Sequence, residues 1–370
     1  MKLIFITIAV VALALGLFVL SGPMIGTYFQ QQYVKTAYHP EQLETGDIEG
    51  APDAHRIKGI PWISYEKWYC HTTALQMAVR AYGIEPSIDE LNFLSGFTYG
   101  AFSPGDQSMF IDYNDPIAGT DIACRHLGLK ARYLTTNNTD DFLAGLRAAL
   151  SQDQPVVIQL NAALLWEEEG FFPHTELMVG YDPSGFVYFE TATADRNLPE
   201  ADGITIDEQT LLDAVRVLNE TLARPWRYAF IVLEPCEKAA DLSDVWRRNG
   251  EALVGSIQGP VANGAAAIRR FADQIKEDGR ITNPWALETL PYTRADNAAF
   301  LEQRFTDDED VLKAAELLAQ AGAYYQEISA IGSGSSELDE ESVESVVSLL
   351  NQGATLEEQA GEIFLQLEKD

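Results

Sequence analysis

Cysteine is scarce: Cys70, Cys124 and Cys236 are the only three in 370 residues. At most one pair could bridge, which excludes a disulfide scaffold, and no CxxC or His/Cys cluster has zinc-ligand spacing. A glycine-rich phosphate loop and internal repeats are also lacking. Basic residues are few, with 25 Lys and Arg against 56 Asp and Glu, for a net charge of −31. A surface of that sign repels phosphate backbones and anionic headgroups, so nucleic acid is excluded as a partner. Hydrophobic residues nevertheless make up 46% of the chain, which places it with globular proteins rather than disordered ones.

One apolar run is long. Leu3 to Leu20 holds about 18 uncharged residues, the lower limit for a membrane span. Lys2 precedes it and the next basic residue is Lys35, so the charge bias puts the bulk of the chain outside the cytoplasm. The expectation is a signal anchor over residues 1–22, a tether over 23–59 and a membrane-anchored, extracytoplasmic protein. The alternative is secretion after signal cleavage, for which Val19-Leu20-Ser21 is a poor site. Contact with the membrane is expected through this N-terminal helix only.

From Ile60 to Pro235 helical and strand patterns mix. Cys70, Ala74, Met77, Ala78 and Ala81 recur at helical spacing and predict a helix over 69–82, with Gly83 as its stop. Strands are predicted at 130–134, 156–160 and 228–233, and an amphipathic helix at 140–150. His174 to Glu190 reads as a β-hairpin turning at Asp182-Pro183-Ser184-Gly185. Residues 97–115 predict a long loop. After Pro235 strand signals cease, and residues 236–370 predict an acidic, all-α region; from Glu302 onward 17 acidic residues face 3 basic ones. That charge is read as a solvated helical face, with a docking surface for a protein partner as the alternative.

Two residues carry candidate chemistry. Cys70 opens its helix, where unpaired backbone N–H groups carry partial positive charge, stabilise a thiolate and raise its nucleophilicity. His174 starts a strand about a hundred residues later, and an imidazole beside such a thiol would complete its activation. Each alone has an ordinary structural alternative, a small core thiol and a packed ring. Trp166 with Glu167, Glu168 and Glu169 precedes His174 and is placed to overhang a cleft, or to form a solvated loop. His71 points away from Cys70 on a helix. Cys124 and Cys236 are either buried thiols or a bridged pair that leaves Cys70 free.

The segments "IPWISYEKWYCHTTALQMAVRAYGIEPSIDELNFL", "GLKARYL", "DDFLAGLRAALSQDQPVVIQL" and "HTELMVGYDPSGFVYFE" together resemble the papain-like peptidase domain of bacteriocin-leader processing transporters. They are closer still to the N-terminal domain of the butirosin-biosynthesis acyltransferase, and "GAAAIRRFADQI" is similar to the helical region that follows it. The resemblance implies an α+β, papain-like domain over 60–235, with a helical half carrying Cys70 as nucleophile and an antiparallel β half carrying His174 as general base. It places the third residue at Glu190, sixteen positions after His174, with an inert hairpin carboxylate as the alternative. On a three-residue turn Met178 would face Glu190, and a bulge or bend would be needed to bring that carboxylate to the ring.

The family's oxyanion-donating Gln is missing: Ser64 and Tyr65 stand there, followed by Glu66, which cannot donate when ionised. Losing such a donor costs about a hundredfold in rate. The resemblance, taken with the N-terminal apolar run, leads to the expectation of a membrane-tethered cysteine peptidase or amidase acting through an acyl-enzyme on a peptide or acyl substrate, without metal or organic cofactor. The alternatives are an acyltransferase and a catalytically degenerate module that binds a peptide or protein.

Overall fold

The computed structural model describes residues 31–44, 50–65, 67–103, 115–192, 202–238, 242–258, 261–281, 284–332 and 337–369. The apolar run at 3–20 and Glu66 lie outside these residues. Among the described residues no helix is long and apolar enough to cross a membrane.

The chain divides into two compact units. One comprises Met1–Glu66 and Arg132–Leu233, the other Lys67–Ala131 and Glu234–Asp370. The first is built on a sheet with strand order β1-β4-β9-β5-β6-β7-β8, in which β2 also pairs with β6. These strands are β1 (Glu41–Gln42), β2 (His55–Arg56), β4 (Leu129–Thr136), β5 (Val156–Asn161), β6 (Pro173–Asp182), β7 (Gly185–Phe189), β8 (Ile204–Ile206) and β9 (Tyr228–Pro235). The expected antiparallel half is a mixed sheet, because Glu41 and Gln42 pair in parallel with Leu134 and Thr135. The other pairings of β5 to β8 are antiparallel.

Local chemistry explains these elements. Val156, Val157, Ile158 and Leu160 are all fully buried, as a central apolar strand requires. A helix over Thr139–Ser151 starts where the Asn138 side chain accepts from the backbone N–H of Asp140 and Asp141. It buries Phe142, Leu146 and Leu150. The β6–β7 hairpin turns on only two residues, with Asp182 opposite Gly185. Gly185 has φ +143°, and a Cβ there would lie 2.1 Å from the Ile206 carbonyl oxygen, so only glycine fits. The ladder then shifts between Met178 and Gly180. The expected register is corrected twice over. The shorter turn and the bulge each move the pairing by one residue, so the run Met178↔Tyr188, Leu177↔Phe189 leads on to Glu176, not Met178, opposite Glu190.

The second unit holds α1 (Cys70–Arg80), α2 (Ile88–Ser95), α3 (Pro116–His126), the tail helices Ser243–Val254, Gly264–Asp278, Pro284–Arg304, Glu309–Gly332 and Glu340–Leu367, and three short strands. The tail is not all-α: β10 (Ile257–Gln258) and β11 (Val261–Asn263) form a small sheet with β3 (Phe102–Ser103). Strands of two and three residues carry no readable period. One apolar core joins Phe93 and Leu94 of α2 to Trp246, Leu318 and Phe364 of the tail. Polar ties reinforce it: Arg248 Nε donates to the Ser95 carbonyl at 2.8 Å and Asn249 Nδ2 to that of Phe93 at 3.0 Å. The helices around Cys70 and the tail helices thus share one hydrophobic interior.

Candidate active site

Cys70 is the first residue of α1 and is partly exposed, whereas His71 to Val79 are buried. Tyr69 stands at the N-cap without a side-chain hydrogen bond to the helix. Cys70 thus stands at the N-terminal, positive end of the α1 dipole. His71 turns into the unit, 2% exposed, and its Nε2 lies 2.9 Å from Thr120 Oγ1, a packing role. Cys124 is buried, Cys236 is exposed, and neither forms a disulfide, so the expected alternative of a bridged pair is corrected. Burial, with the charge of Asp121, pushes the Cys124 thiol far up, which keeps it unreactive.

His174 belongs to the other unit, second residue of β6 and 5% exposed. Its Nε2 lies 2.9 Å from Glu190 Oε1, 3.1 Å from Thr191 Oγ1 and 3.4 Å from Glu176 Oε1. The Thr191 hydroxyl donates to the Thr175 carbonyl at 2.8 Å. It therefore presents lone pairs to the ring, as the carboxylate does, and Nε2 carries the proton. In the neutral ring the basic lone pair is left on Nδ1. Trp166 and Phe172 flank the imidazole, with ring centroids 5.5 and 5.9 Å away.

Glu190 is fully buried, in a setting that keeps it ionised. Burial alone would raise its carboxyl. The hydrogen bond and charge of His174, the Ala192 N–H at 2.9 Å and the Trp166 Nε1–H at 3.1 Å outweigh that and hold it below the usual glutamate range. Its strand end is fixed from the segment that leads toward Cys70: Trp62 Nε1 donates to the Glu190 carbonyl at 2.7 Å and its ring stacks on Phe189. Tyr65 N–H reaches the Thr191 carbonyl at 3.4 Å. Trp166, read from sequence as an overhanging residue or a loop residue, bonds the carboxylate, while Glu167, Glu168 and Glu169 stand exposed.

Sequence reasoning missed Glu176 and Thr191. Glu176, 0% exposed, accepts from the Thr191 N–H at 3.2 Å and brings a second buried carboxylate to the ring. Its position two residues after His174, on the same strand face, was the available signal. His174, Glu176 and Glu190 present ligand-type atoms within 4.8 Å of one another, a cluster that could also hold a metal ion. Of these atoms, Glu190 Oε1 is engaged by both His174 Nε2 and the Ala192 N–H, each at 2.9 Å.

Residues 57–202 match the model of the Peptidase_C39 like family, a span that contains Cys70, His174 and Glu190. A solved structure from Bacillus anthracis, assigned as a C39-like peptidase, is 15% identical and aligns over 50% of this chain and 100% of its own, with a TM-score of 0.35. No curated protein matches the chain. The closer likeness to the butirosin-biosynthesis acyltransferase is not among what these comparisons show. Over residues 57–202 the chain is thus similar to the C39-like peptidase family.

Proposed function

We propose that this protein is a cysteine hydrolase that cleaves a peptide or amide bond through an acyl-enzyme on Cys70. The observation that carries the reading is the buried His174–Glu190 pair at 2.9 Å, whose geometry sets the imidazole tautomer. The family match that spans both of these residues and Cys70 supports it. The reading requires the Cys70 sulfur to meet the Nδ1 edge of His174. Nδ1 takes the thiol proton, and the thiolate attacks the carbonyl carbon. The tetrahedral adduct collapses to a thioester as the leaving amine takes the proton from the imidazolium. Water, deprotonated by the same nitrogen, then releases the acid and restores the thiol. Glu190 holds the ring and stabilises its charged form throughout. The same reading puts the enzyme on an N-terminal anchor outside the cytoplasm, with a peptide or acyl substrate and no nucleic acid.

Iodoacetamide labelling, mapped by mass spectrometry, tests the chemistry. Cys70 is expected to label quickly near neutral pH, and His174→Ala to slow it. Equally slow labelling in both proteins would overturn the reading. A second reading, a peptide-binding module without turnover, is favoured by Ser64 and Tyr65 at the oxyanion position. Fast labelling of Cys70 without hydrolysis across a peptide library would support it. An acyltransferase would instead show turnover only with an added amine.

A further inference from the structure

The three residues that lead into Cys70 each touch one tail helix, the one spanning Pro284–Arg304. Tyr69 Oη donates to Asp296 Oδ2 at 2.9 Å. Lys67 Nζ forms an ion pair with the same carboxylate oxygen. That ammonium also lies 5.4 Å from the centre of the Tyr292 ring. The Trp68 N–H points to Tyr292 Oη at 3.4 Å. Tyr69 itself is 1% exposed and sits edge-on to both Tyr292, at 5.8 Å, and Phe97, at 6.2 Å.

We propose that Tyr292 and Asp296 are positioning residues for the nucleophile, so that the C-terminal helical region forms part of the catalytic apparatus. Tyr69 is where the two meet. Its carbonyl accepts from Thr73 N–H at 2.8 Å and Thr73 Oγ1 at 2.7 Å, which closes the first turn of α1. Its ring and hydroxyl are gripped by the tail. A Ser or Asp at the N-cap would orient that turn through its own side chain; Tyr69 makes no such bond. The orientation of the turn, and of the sulfur it carries, therefore depends on the grip at Asp296.

The gripping helix is itself immobilised. Arg294 is bidentate to Glu357 at 2.6 and 3.0 Å, with both side chains fully buried, and donates to the Thr98 carbonyl at 3.0 Å. Asn297 Oδ1 accepts from Thr98 Oγ1 at 2.7 Å. The charge of the Lys67–Asp296 pair is secondary, since both side chains are partly exposed and such pairs contribute little by themselves. Asp89 is the other carboxyl facing the pair; burial and Asp296 raise it while Lys67 opposes them.

This inference rests on Cys70 being the nucleophile, and the test separates the two. The rate of Cys70 alkylation is followed against pH in the full chain, with the exposed Cys236 as internal reference. Wild type is expected to show a Cys70 midpoint well below the ordinary thiol value of about 8.5. Asp296→Ala and Tyr69→Phe are expected to slow Cys70 at neutral pH by about tenfold and to move its midpoint up. Asp296→Asn, which keeps an acceptor for Tyr69 and Lys67, is expected to stay close to wild type. A purely structural role would lower melting temperature without moving the midpoint. If Asp296→Ala fails to fold, Tyr69→Phe decides. A low wild-type midpoint unmoved in both variants would overturn this inference alone; an ordinary wild-type midpoint would overturn it together with the functional reading.

Discussion

Each unit of the molecule buries a cation–carboxylate pair, and the two pairs do different work. In the helical unit Arg294 and Glu357 are both at zero exposure and joined by two charge-assisted bonds. In the sheet unit His174 and Glu190 are nearly as buried and joined by one. A guanidinium keeps its proton at every accessible pH, so the first pair can only hold helices in place. An imidazole gains and loses its proton near neutrality, so the second pair can move charge. Burial of an ion pair is therefore no mark of a site. A titratable member, a fixed tautomer and a second carboxylate at Glu176 are what separate the two.

That contrast can be broken or sharpened by substitution. The largest expected loss is from Arg294→Ala, which strands Glu357 in the interior and should cost about 3–5 kcal/mol in urea unfolding. Replacing both partners by apolar residues of similar volume should restore most of it, since neither charge is needed for chemistry at that place. A double variant as unstable as the single one would show that the pair specifies more than packing.

Glu190→Gln should cost less, about 1–3 kcal/mol, by weakening a buried charge-assisted bond, yet it should slow Cys70 labelling where the Arg294/Glu357 apolar pair does not. It also has a pH signature. The Glu190 carboxyl is held below its ordinary range in the folded protein, against the opposing effect of burial. Its contribution is thus complete above the unfolded value of about 4.3 and is lost as pH falls through the lower folded value. Wild type minus Glu190→Gln stability, measured by denaturant at a series of pH values, should shrink across that acidic window. A difference independent of pH would contradict an ionised Glu190.

Trp166→Phe keeps the ring against His174 but removes the donor to Glu190, and should cost about 1 kcal/mol with a modest loss of labelling rate. Smallest is Glu176→Gln. It retains an acceptor for the Thr191 N–H and relieves two facing carboxylates, so melting temperature should stay nearly unchanged, whereas Glu176→Leu should lower it.

Much of the scaffold was legible in the chain. The α1 periodicity, the amphipathic pattern at 140–150 and the apolar run at 156–160 each produced the expected element at nearly the expected bounds. The tail strands were not legible, because a pairing of two or three residues rests on tertiary contact. Cys70, His174 and Glu190 were all readable as candidates, but the approach of Glu190 to the ring was misjudged by two register steps. One came from the turn length and one from the bulge between Met178 and Gly180, and both depend on backbone geometry at single residues. Asp296 was beyond reach, since 227 residues separate it from the Tyr69 it grips.

The proposed chemistry requires the Cys70 sulfur and the His174 ring to react together, and a short bis-electrophile such as a dihaloacetone tests that requirement most directly. Its first arm alkylates a reactive thiolate, and its second can then capture only a nucleophile within a few ångströms. Mass spectrometry of the digested full-length protein is expected to show the peptide containing Cys70 joined to the peptide containing His174, and to lose that product in His174→Ala. A singly alkylated Cys70 with no bridge, or a bridge to another residue, would contradict the account.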